Sequence, residues 1–259
     1  MTMLKGSYMI DLHSHILFGF DDGAKDISES LVMAKQAVEH QITIVAATPH
    51  YQGQDWLMIQ SRVNELNETI NQSGIDLKVI PGAELYIDPQ LLTMSKEKIP
   101  TYNDNGCYCL LEFPMFDLPH YVDQVLFALQ VKGITPIIAH PERYGVVIDD
   151  PNIIKKWIEN GCLIQMNAGS ILGMFGNRVK QTGEILIEHQ MVHLIASDAH
   201  SSGRRGFNLH SAADYLGKLI GDENAAGLVQ KNPDLIIAGE PVPVPEVLAY
   251  KPRKRFWLF

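Results

Sequence analysis

Seven short runs of aliphatic and β-branched residues recur along this chain, separated by segments with the periodicity of amphipathic helices. We predict a strand for each run. The predicted strands span residues 8–13, 43–48, 77–83, 107–113, 134–139, 162–167 and 192–197. Strands that alternate with helices pair in parallel and are covered by those helices on the faces of the sheet. The pattern therefore restricts the chain to the α/β class.

Local signals place helices between several of these strands. Residues 28–40 are predicted as a helix because Asp26 and Glu29 have the spacing of a capping box. Residues 119–132 and 151–160 are predicted as helices because each segment opens with proline, which is favoured in a first helical turn. No internal repeat or long Gly/Ser linker divides the chain. We therefore predict one domain over residues 1–250, followed by a short tail.

The choice within the α/β class lies between an open doubly wound sheet and a closed barrel. No Gly-x-Gly-x-x-Gly follows the first predicted strand, and no phosphate-binding loop ends in Gly-Lys-Ser/Thr. The length of 259 residues is the usual size of a single α/β barrel. The sequence thus favours a barrel.

Six of the seven predicted strands end in histidine or in a carboxylate. Because the carboxyl ends of all strands in a parallel barrel lie on one face, we expect these side chains to converge there. The strand ends are Asp11-Leu-His13-Ser-His15, Thr48-Pro-His50, Gly82-Ala-Glu84, Leu111-Glu112-Phe, His140-Pro-Glu-Arg143 and Ser197-Asp198-Ala-His200.

Imidazole and carboxylate groups are ligands for divalent zinc, manganese or iron, and a His-x-His strand end aims both imidazoles at one cluster where the chain bends. Cysteine is absent from the set, which favours an open hydrolytic site for two or more ions over a closed structural zinc site. The other histidines are predicted to be ordinary hydrogen-bonded residues outside the site; they are His40, His120, His189, His193 and His210.

Composition limits the partners and the compartment. With 21 basic and 30 acidic residues the formal net charge is −9, so the chain as a whole should repel nucleic acid and anionic membranes. The three cysteines form no disulfide pattern, and the amino terminus has no apolar secretory segment. No run approaches the roughly 18 apolar residues that span a bilayer. We predict a cytoplasmic protein without a transmembrane segment.

Six motifs occur together in one order between Met9 and Arg205. With them the sequence resembles the PHP (polymerase and histidinol phosphatase) superfamily, and more closely the manganese-dependent protein-tyrosine phosphatases encoded with capsular and exopolysaccharide genes. The resemblance implies a distorted, TIM-like (β/α)7 barrel. The motifs are Asp11-Leu-His-Ser-His15, Asp21-Asp22-Gly, Thr48-Pro-His50, Pro81-Gly-Ala-Glu84, His140-Pro-Glu-Arg-Tyr144 and Ser197-Asp-Ala-His200.

The resemblance also implies three divalent ions, with manganese expected and iron or zinc as alternatives. The implied ligand sets are His13, His15, Glu84 and Asp198 for one ion; Glu84, Glu112 and His140 for a second; and Asp22, His50 and His200 for a third. Arg143 and Arg205 would grip phosphate, because a planar guanidinium pairs with two oxygens at once. The choices of Asp22 over Asp21 and of Arg205 over Arg204 rest on motif alignment alone.

The expected reaction is hydrolysis of phosphotyrosine by in-line attack of a metal-bridging hydroxide. His50, His200 or a metal-bound water would protonate the leaving phenolate. Cysteine-based phosphatase chemistry is excluded, because it needs an arginine six positions after the cysteine. The residues six positions after Cys107, Cys109 and Cys162 are Phe113, Met115 and Ala168. All three thiols are instead predicted to pack in the core.

In the family the partner is a membrane-linked bacterial tyrosine kinase, and dephosphorylation regulates polysaccharide export. Three alternatives remain open: a small-metabolite phosphatase acting on a compound such as histidinol phosphate, a metal-dependent amidohydrolase, and a non-catalytic metal-dependent scaffold for polysaccharide assembly. Amidohydrolases often use a bridging lysine at a middle strand, where this chain has Glu84 and Glu112.

The basic and aromatic tail, residues 251–259, carries four positive charges and ends in four large apolar side chains. It is expected to pack on the domain, with weak contact to an anionic membrane surface or to a partner's acidic, tyrosine-rich segment as the alternatives.

Overall fold

The computed structural model describes residues 8–251, and all seven predicted strands are present in it. Two further short strands, β3 and β5, follow directly after the second and third predicted strands. The strands are β1 (Met9–Ser14), β2 (Ile42–Ala47), β3 (His50–Tyr51), β4 (Lys78–Pro81), β5 (Glu84–Tyr86), β6 (Tyr108–Glu112), β7 (Thr135–Ala139), β8 (Leu163–Asn167) and β9 (Leu194–Ala196).

Every strand pair is parallel, and the strands follow one another in chain order around a ring. One sheet has the order β1-β2-β4 and the other the order β3-β5-β6-β7-β8-β9. The two sheets are linked along the chain, because β3 begins three positions after the end of β2 and β5 begins three positions after the end of β4. The ring returns to β1 through a parallel bridge between Ser14 and Ala199. The predicted α/β class with parallel strands is confirmed.

Helices cover the outside of the strands. The bounds are α1 (Ile27–Glu39), α2 (Trp56–Gln72), α3 (Val122–Val131), α4 (Gly145–Asp149), α5 (Asn152–Glu159), α6 (Ala168–Ile171), α7 (Asn177–Glu188), α8 (Leu209–Ile220), α9 (Asp222–Ala226) and α10 (Asn232–Ala238). At the start of α1, the Asp26 side chain accepts from Glu29 N at 3.0 Å, while the Glu29 carboxylate accepts from Lys25 N at 3.1 Å. The predicted capping pair is therefore present, with the returning bond one residue earlier than in the standard box.

The strands bury both faces, as the strands of a barrel do. In β6, Tyr108 and Leu110 belong to a smaller apolar cluster with Leu12 and Ala139 from neighbouring strands. The alternate residues Cys109 and Leu111 belong to the larger cluster that packs under the helices. This double burial explains why the strand runs in the sequence are almost continuously apolar.

Among residues 8–251, no helix is long and apolar enough to cross a bilayer. The first residues, 1–7, and all of the predicted tail except Lys251 lie outside the described part of the chain. The predictions about the amino terminus and about tail packing therefore stay predictions.

Two of the three thiols are sealed in the core. Cys109 lies in β6 and Cys162 immediately precedes β8; burial raises the pKa of each to about 12. Cys107, just before β6, is only partly buried, so the prediction that all three thiols pack in the core holds for two of them.

Because thiolate is the reactive form of cysteine, we expect a Cys107→Ser variant to take up no iodoacetamide label in the folded state, measured by intact-protein mass spectrometry. Two labels should appear in guanidinium, and rapid labelling of the folded variant would contradict this.

Candidate metal centre

The carboxyl ends of six strand regions meet at one rim of the ring, where nine histidine, aspartate and glutamate side chains come together. His13 and His15 stand at the end of β1, and Asp22 lies in the loop that follows. The other contributors are His50 on β3, Glu84 on β5, Glu112 at the end of β6, His140 after β7, and Asp198 and His200 after β9. All nine predicted ligands are therefore in one place.

Glu84 lies at the centre of this cluster. Its Oε2 is 3.3 Å from His13 Nε2 and 3.4 Å from His15 Nε2. Asp198 Oδ1 faces the same two nitrogen atoms at 3.5 Å each. Two imidazoles and two carboxylates thus point their free atoms at one small volume.

A second group forms on the other side of Glu84. Its Oε1 is 2.9 Å from His140 Nε2, and its Oε2 is 3.0 Å from His50 Nδ1. Glu112 approaches the same imidazoles, with Oε1 at 3.7 Å from His140 Nε2 and Oε2 at 3.8 Å from His50 Nδ1. The Glu84 carboxylate therefore faces both groups at once.

A third group gathers around Asp22. The Oδ1 atom of Asp22 is 3.4 Å from His200 Nε2 and 3.6 Å from His50 Nε2. Ligand atoms of His15, Asp22, His50 and His200 all lie within 4.8 Å of one another. This geometry is what an ion held by several side chains needs.

The adjacent carboxylates Asp21 and Asp22, in the loop after β1, make different contacts. Asp21 Oδ2 accepts from His15 Nδ1 at 2.6 Å and from His50 N at 2.8 Å, so Asp21 orients these residues from behind. Only glycine fits at position 23, because a Cβ atom there would lie 2.2 Å from His15 O. The tight turn at Gly23 holds Asp21 against His15 and leaves Asp22 facing the imidazoles.

Two of the clustered residues hold strained backbone. His140 has φ 33° and Asp198 has φ 55°, the left-handed region that residues other than glycine seldom adopt. Such strain costs about 1–3 kcal/mol per residue and persists where the surrounding structure enforces it, often at functional sites. At both positions it turns a side chain that follows a strand end toward the rim.

Buried atoms of the cluster lack the hydrogen bonds that buried polar atoms usually make. His13 Nε2, His15 Nε2 and Glu84 Oε2 are inaccessible to solvent and have no hydrogen-bond partner among the described residues. Unpaired buried polar atoms cost free energy, whereas lone pairs on nitrogen and oxygen are what a divalent cation binds. The donor set therefore fits metal ions.

Charge compensation inside the cluster shifts several pKa values. Burial alone would lower the pKa of His13, but the negative charges of Glu84 and Asp198 outweigh it and raise the pKa to about 9. Burial and the neighbouring Glu84 raise the pKa of Glu112 to about 7. Burial and His15 lower the pKa of His200 to about 4. Protons on imidazole thus balance the carboxylates, and a bound cation would take over that role.

Two arginines flank the cluster. Arg143 Nη1 and Arg205 Nη2 approach Asp198 Oδ2 at 3.2 and 3.3 Å, and Arg205 Nη1 is 3.7 Å from Asp22 Oδ2. Its neighbour Arg204 is exposed. The guanidinium of Arg143 lies 4.6 Å from the centre of the Phe175 ring, a cation–π contact that helps to keep it at the rim. Both predicted arginines therefore reach the cluster.

Sequence reasoning missed a second set of buried polar residues behind the nine. Asp11 accepts from Ser197 N with both carboxylate oxygens at 3.1 Å, which ties β1 to the end of β9. Gln165 and Asn167 are fully buried on β8, which is the one of the seven predicted strands that does not end in a predicted ligand. The available signal was a pair of alternate polar residues in an otherwise apolar strand run.

The histidines predicted to lie outside the site do so. Two of them cap helix ends, and His193 accepts a hydrogen bond from Ile164 N at 3.1 Å through Nδ1. Within residues 8–251, none of these five belongs to the candidate ligand groups: His40, His120, His189, His193 and His210.

Known proteins resemble this chain over most of its length. Residues 9–238 match the family model described as capsular polysaccharide synthesis, CpsB/CapC. The tyrosine-protein phosphatase YwqE of Bacillus subtilis (strain 168) is 33% identical over 256 residues, which cover 97% of this chain and 100% of YwqE. The putative tyrosine-protein phosphatase CapC of Staphylococcus aureus is 37% identical over 207 residues, covering 78% of this chain and 80% of CapC.

A solved structure agrees with these sequence matches. It comes from work on YwqE from Bacillus subtilis and CpsB from Streptococcus pneumoniae, described as unique metal-dependent tyrosine phosphatases. It superposes with a TM-score of 0.88 at 33% identity, covering 94% of this chain and 100% of the other. The fold, the rim cluster and the matches agree, and the chain belongs to the CpsB/CapC family of capsular polysaccharide synthesis.

Proposed function

We propose that the protein is a metal-dependent tyrosine-protein phosphatase that hydrolyses phosphotyrosine. The observation that carries the proposal is the convergence of nine imidazole and carboxylate side chains, with Glu84 at their centre, flanked by two arginines. Such a site suits phosphate-ester hydrolysis, because cations and guanidinium groups together neutralise a transferring phosphoryl group. The names of the relatives YwqE, CapC and CpsB, all tyrosine phosphatases, support the choice of substrate.

The proposed centre holds three divalent ions, manganese first among them. His13, His15, Glu84 and Asp198 would hold one ion; Glu84, Glu112 and His140 a second; Asp22, His50 and His200 a third. When bound, such ions activate water for attack on phosphorus and neutralise charge on the phosphoryl oxygens. Ligand atoms within 4.8 Å of one another form three overlapping groups, which support three ions: His13, His15 and Glu84; His50, Glu84 and Glu112; and His15, Asp22, His50 and His200. The proposed sets add Asp198 and His140 because Asp198 Oδ1 faces His13 and His15 at 3.5 Å and His140 Nε2 is 2.9 Å from Glu84 Oε1.

The chain's own residues would bind and orient the phosphate. Arg143 and Arg205 both point guanidinium nitrogens at Asp198 Oδ2, so a phosphoryl group entering above that atom meets donors from two sides. The leaving phenolate has a pKa near 10 and needs less help from an acid than an alkoxide does. His50 and His200 are the two candidate proton donors. His50 is 35% exposed at the mouth and Glu84 raises its pKa, whereas burial and His15 lower the pKa of His200 to about 4, so His50 is the proposed donor.

The proposed substrate is a phosphotyrosine protein, a bacterial tyrosine kinase whose dephosphorylation regulates capsular or exopolysaccharide synthesis in the cytoplasm. Family membership in capsular polysaccharide synthesis supports this setting. Dephosphorylation of the purified autophosphorylated kinase, compared with unrelated phosphotyrosine proteins, tests the partner. Equal rates on all of them would contradict the assignment to a kinase.

The deciding experiment measures phosphate release by metal-stripped protein after manganese, zinc, iron or magnesium is restored. Substrates are a phosphotyrosine peptide, a phosphoserine peptide and histidinol phosphate. We expect metal-dependent release mainly from phosphotyrosine. Preference for histidinol phosphate would instead indicate a small-metabolite phosphatase that uses the same metal centre. No phosphate release with any metal would favour a non-catalytic scaffold.

Replacing Arg205 with alanine should lower kcat/KM for a phosphotyrosine peptide about 10- to 100-fold, because one charge-assisted contact to phosphate is lost. The neighbouring variant Arg204→Ala is the matched control, because Arg204 is exposed and does not reach the cluster. It should stay within about twofold of the parent protein, as surface substitutions usually do. Equal losses in the two variants would argue against a specific role for Arg205.

A further inference from the structure

We propose that Gln165 and Asn167 are positioning residues that fix the tautomer of His13, holding its proton on Nδ1 so that Nε2 presents a lone pair to the metal centre. The inference rests on the metal-dependent function proposed above. It follows from the order of donors and acceptors in one buried chain of hydrogen bonds, which runs from Asp198 through Asn167 and Gln165 to His13. We call this chain the amide relay.

The order of donors and acceptors along the amide relay is fixed by Asp198. Asn167 Nδ2 lies 2.7 Å from Asp198 Oδ2. An ionised carboxylate only accepts hydrogen bonds, so Asn167 must present its NH₂ group to it. The carbonyl oxygen of Asn167 then necessarily points the other way, toward Gln165.

The contact with Asn167 in turn fixes the orientation of the Gln165 amide. Its Nε2 donates to Asn167 Oδ1 at 2.9 Å, which leaves the carbonyl Oε1 facing His13 Nδ1 at 2.9 Å. A carbonyl oxygen only accepts, so His13 Nδ1 must carry a proton. No other arrangement satisfies all three contacts while Asp198 is ionised.

The position of the proton on His13 Nδ1 determines the state of the other ring nitrogen, Nε2. His13 Nε2 is buried, has no hydrogen-bond partner among the described residues, and lies 3.3 Å from Glu84 Oε2. In the neutral ring a proton on Nδ1 leaves a lone pair on Nε2, which is the form that binds a metal. Both ends of the amide relay thus belong to the same proposed ligand set, because His13 Nε2 lies 3.5 Å from Asp198 Oδ1.

Burial keeps the amide relay in place. Gln165, Asn167 and His13 are fully buried, so water does not compete for their hydrogen bonds. The buried Glu142 anchors the strand end, because its Oε1 accepts from Asn167 N at 3.1 Å and also from the Ser170 hydroxyl. Glu142 therefore fixes the backbone from which the Asn167 side chain projects.

The first test reads the tautomer directly in the intact protein. Zinc is the probe because it is diamagnetic, and ¹⁵N-labelled histidine gives an NMR signal for each ring nitrogen. We expect His13 to show a slowly exchanging Nδ1–H and an Nε2 without a proton in zinc-loaded protein. A proton on Nε2 would overturn the proposal. This measurement needs no variant, so it does not depend on how substitutions fold.

The second test separates the amide relay from ordinary core packing. Gln165→Met and Asn167→Leu keep side-chain volume and remove the amides; each should weaken zinc binding about 10- to 100-fold in chelator competition. Thr182→Val is the control. It removes a buried polar group outside the amide relay, the Thr182 hydroxyl in α7, which donates to Arg178 O. Its affinity should not change.

The decisive readout is the His13 signal in Asn167→Leu, because Asn167 does not contact His13. Loss or splitting of the Nδ1–H resonance is expected there, since the Gln165 amide is then free to turn over. An unchanged resonance would overturn the amide relay. If zinc fails to bind the parent protein, the metal centre itself is wrong; zinc binding with an Nε2–H removes only the inference about Gln165 and Asn167.

Discussion

Replacing His140 with alanine or Asp198 with asparagine should slow phosphotyrosine hydrolysis about 1,000-fold or more, because electrostatic stabilisation by the metal centre supplies much of the rate. His140 Nε2 is 2.9 Å from Glu84 Oε1, and Asp198 Oδ1 faces His13 and His15. Each substitution removes one of the proposed ligands. The measurement is kcat on a phosphotyrosine peptide at saturating manganese, together with metal content per chain.

A burial-matched control distinguishes lost metal from lost packing. His193 is 1% exposed, like His140, but accepts a backbone hydrogen bond from Ile164 outside the cluster. His193→Gln should lower the melting temperature yet keep metal content and kcat within about twofold, because it leaves the rim intact. Parent-like turnover in His140→Ala or Asp198→Asn would refute the assignment of these ligands.

Most of the fold could be predicted from sequence because parallel strands buried on both faces leave long apolar runs. β6 illustrates this, with Tyr108 and Leu110 packed on one side and Cys109 and Leu111 on the other. The short strands β3 and β5 could not be predicted, because two or three residues carry no periodicity. They arise from long-range pairing, in which Glu84 N bonds to Pro49 O.

The ligand types were predictable for a related reason. Histidine and carboxylates at the ends of apolar strands are costly unless they serve a site, and a parallel barrel brings such ends together. The roles of Asp21 and Asp22 were not predictable, because sequence spacing does not reveal which of two adjacent carboxylates faces inward. The close approach of Gly23 to His15 decides it in the structure.

Gln165 and Asn167 were missed because an amide is an ordinary residue in sequence and becomes informative only through its partners. Their donors and acceptors have meaning once Asp198 and His13 are known to stand at either end. The same holds for Glu142, which sits inside a recognised motif but acts on β8 through Asn167 N. Residues that position ligands are defined by three-dimensional neighbours more than by their own chemistry.

Removing metal should destabilise the whole domain. Buried atoms such as His13 Nε2, His15 Nε2 and Glu84 Oε2 have no hydrogen-bond partner among residues 8–251, so bound cations would satisfy them. Ligand present at 1,000 times its Kd stabilises a folded protein by about 4 kcal/mol. At about 2–4 °C per kcal/mol for a large domain, the melting temperature should rise by about 8–16 °C when chelator-treated protein is given saturating manganese.

Calorimetry of the metal-free and metal-loaded protein measures this shift, and Glu84→Gln is its matched control. The substitution keeps side-chain size but removes the carboxylate that faces His13, His15 and His140 together. Without that carboxylate, manganese should raise the melting temperature by about a third of the parent shift or less, because a 100-fold loss of affinity lowers the stabilisation from about 4 to about 1.4 kcal/mol. Equal melting temperatures for metal-free and metal-loaded parent protein would mean that the unpaired buried atoms do not bind cations, and the centre would need another explanation.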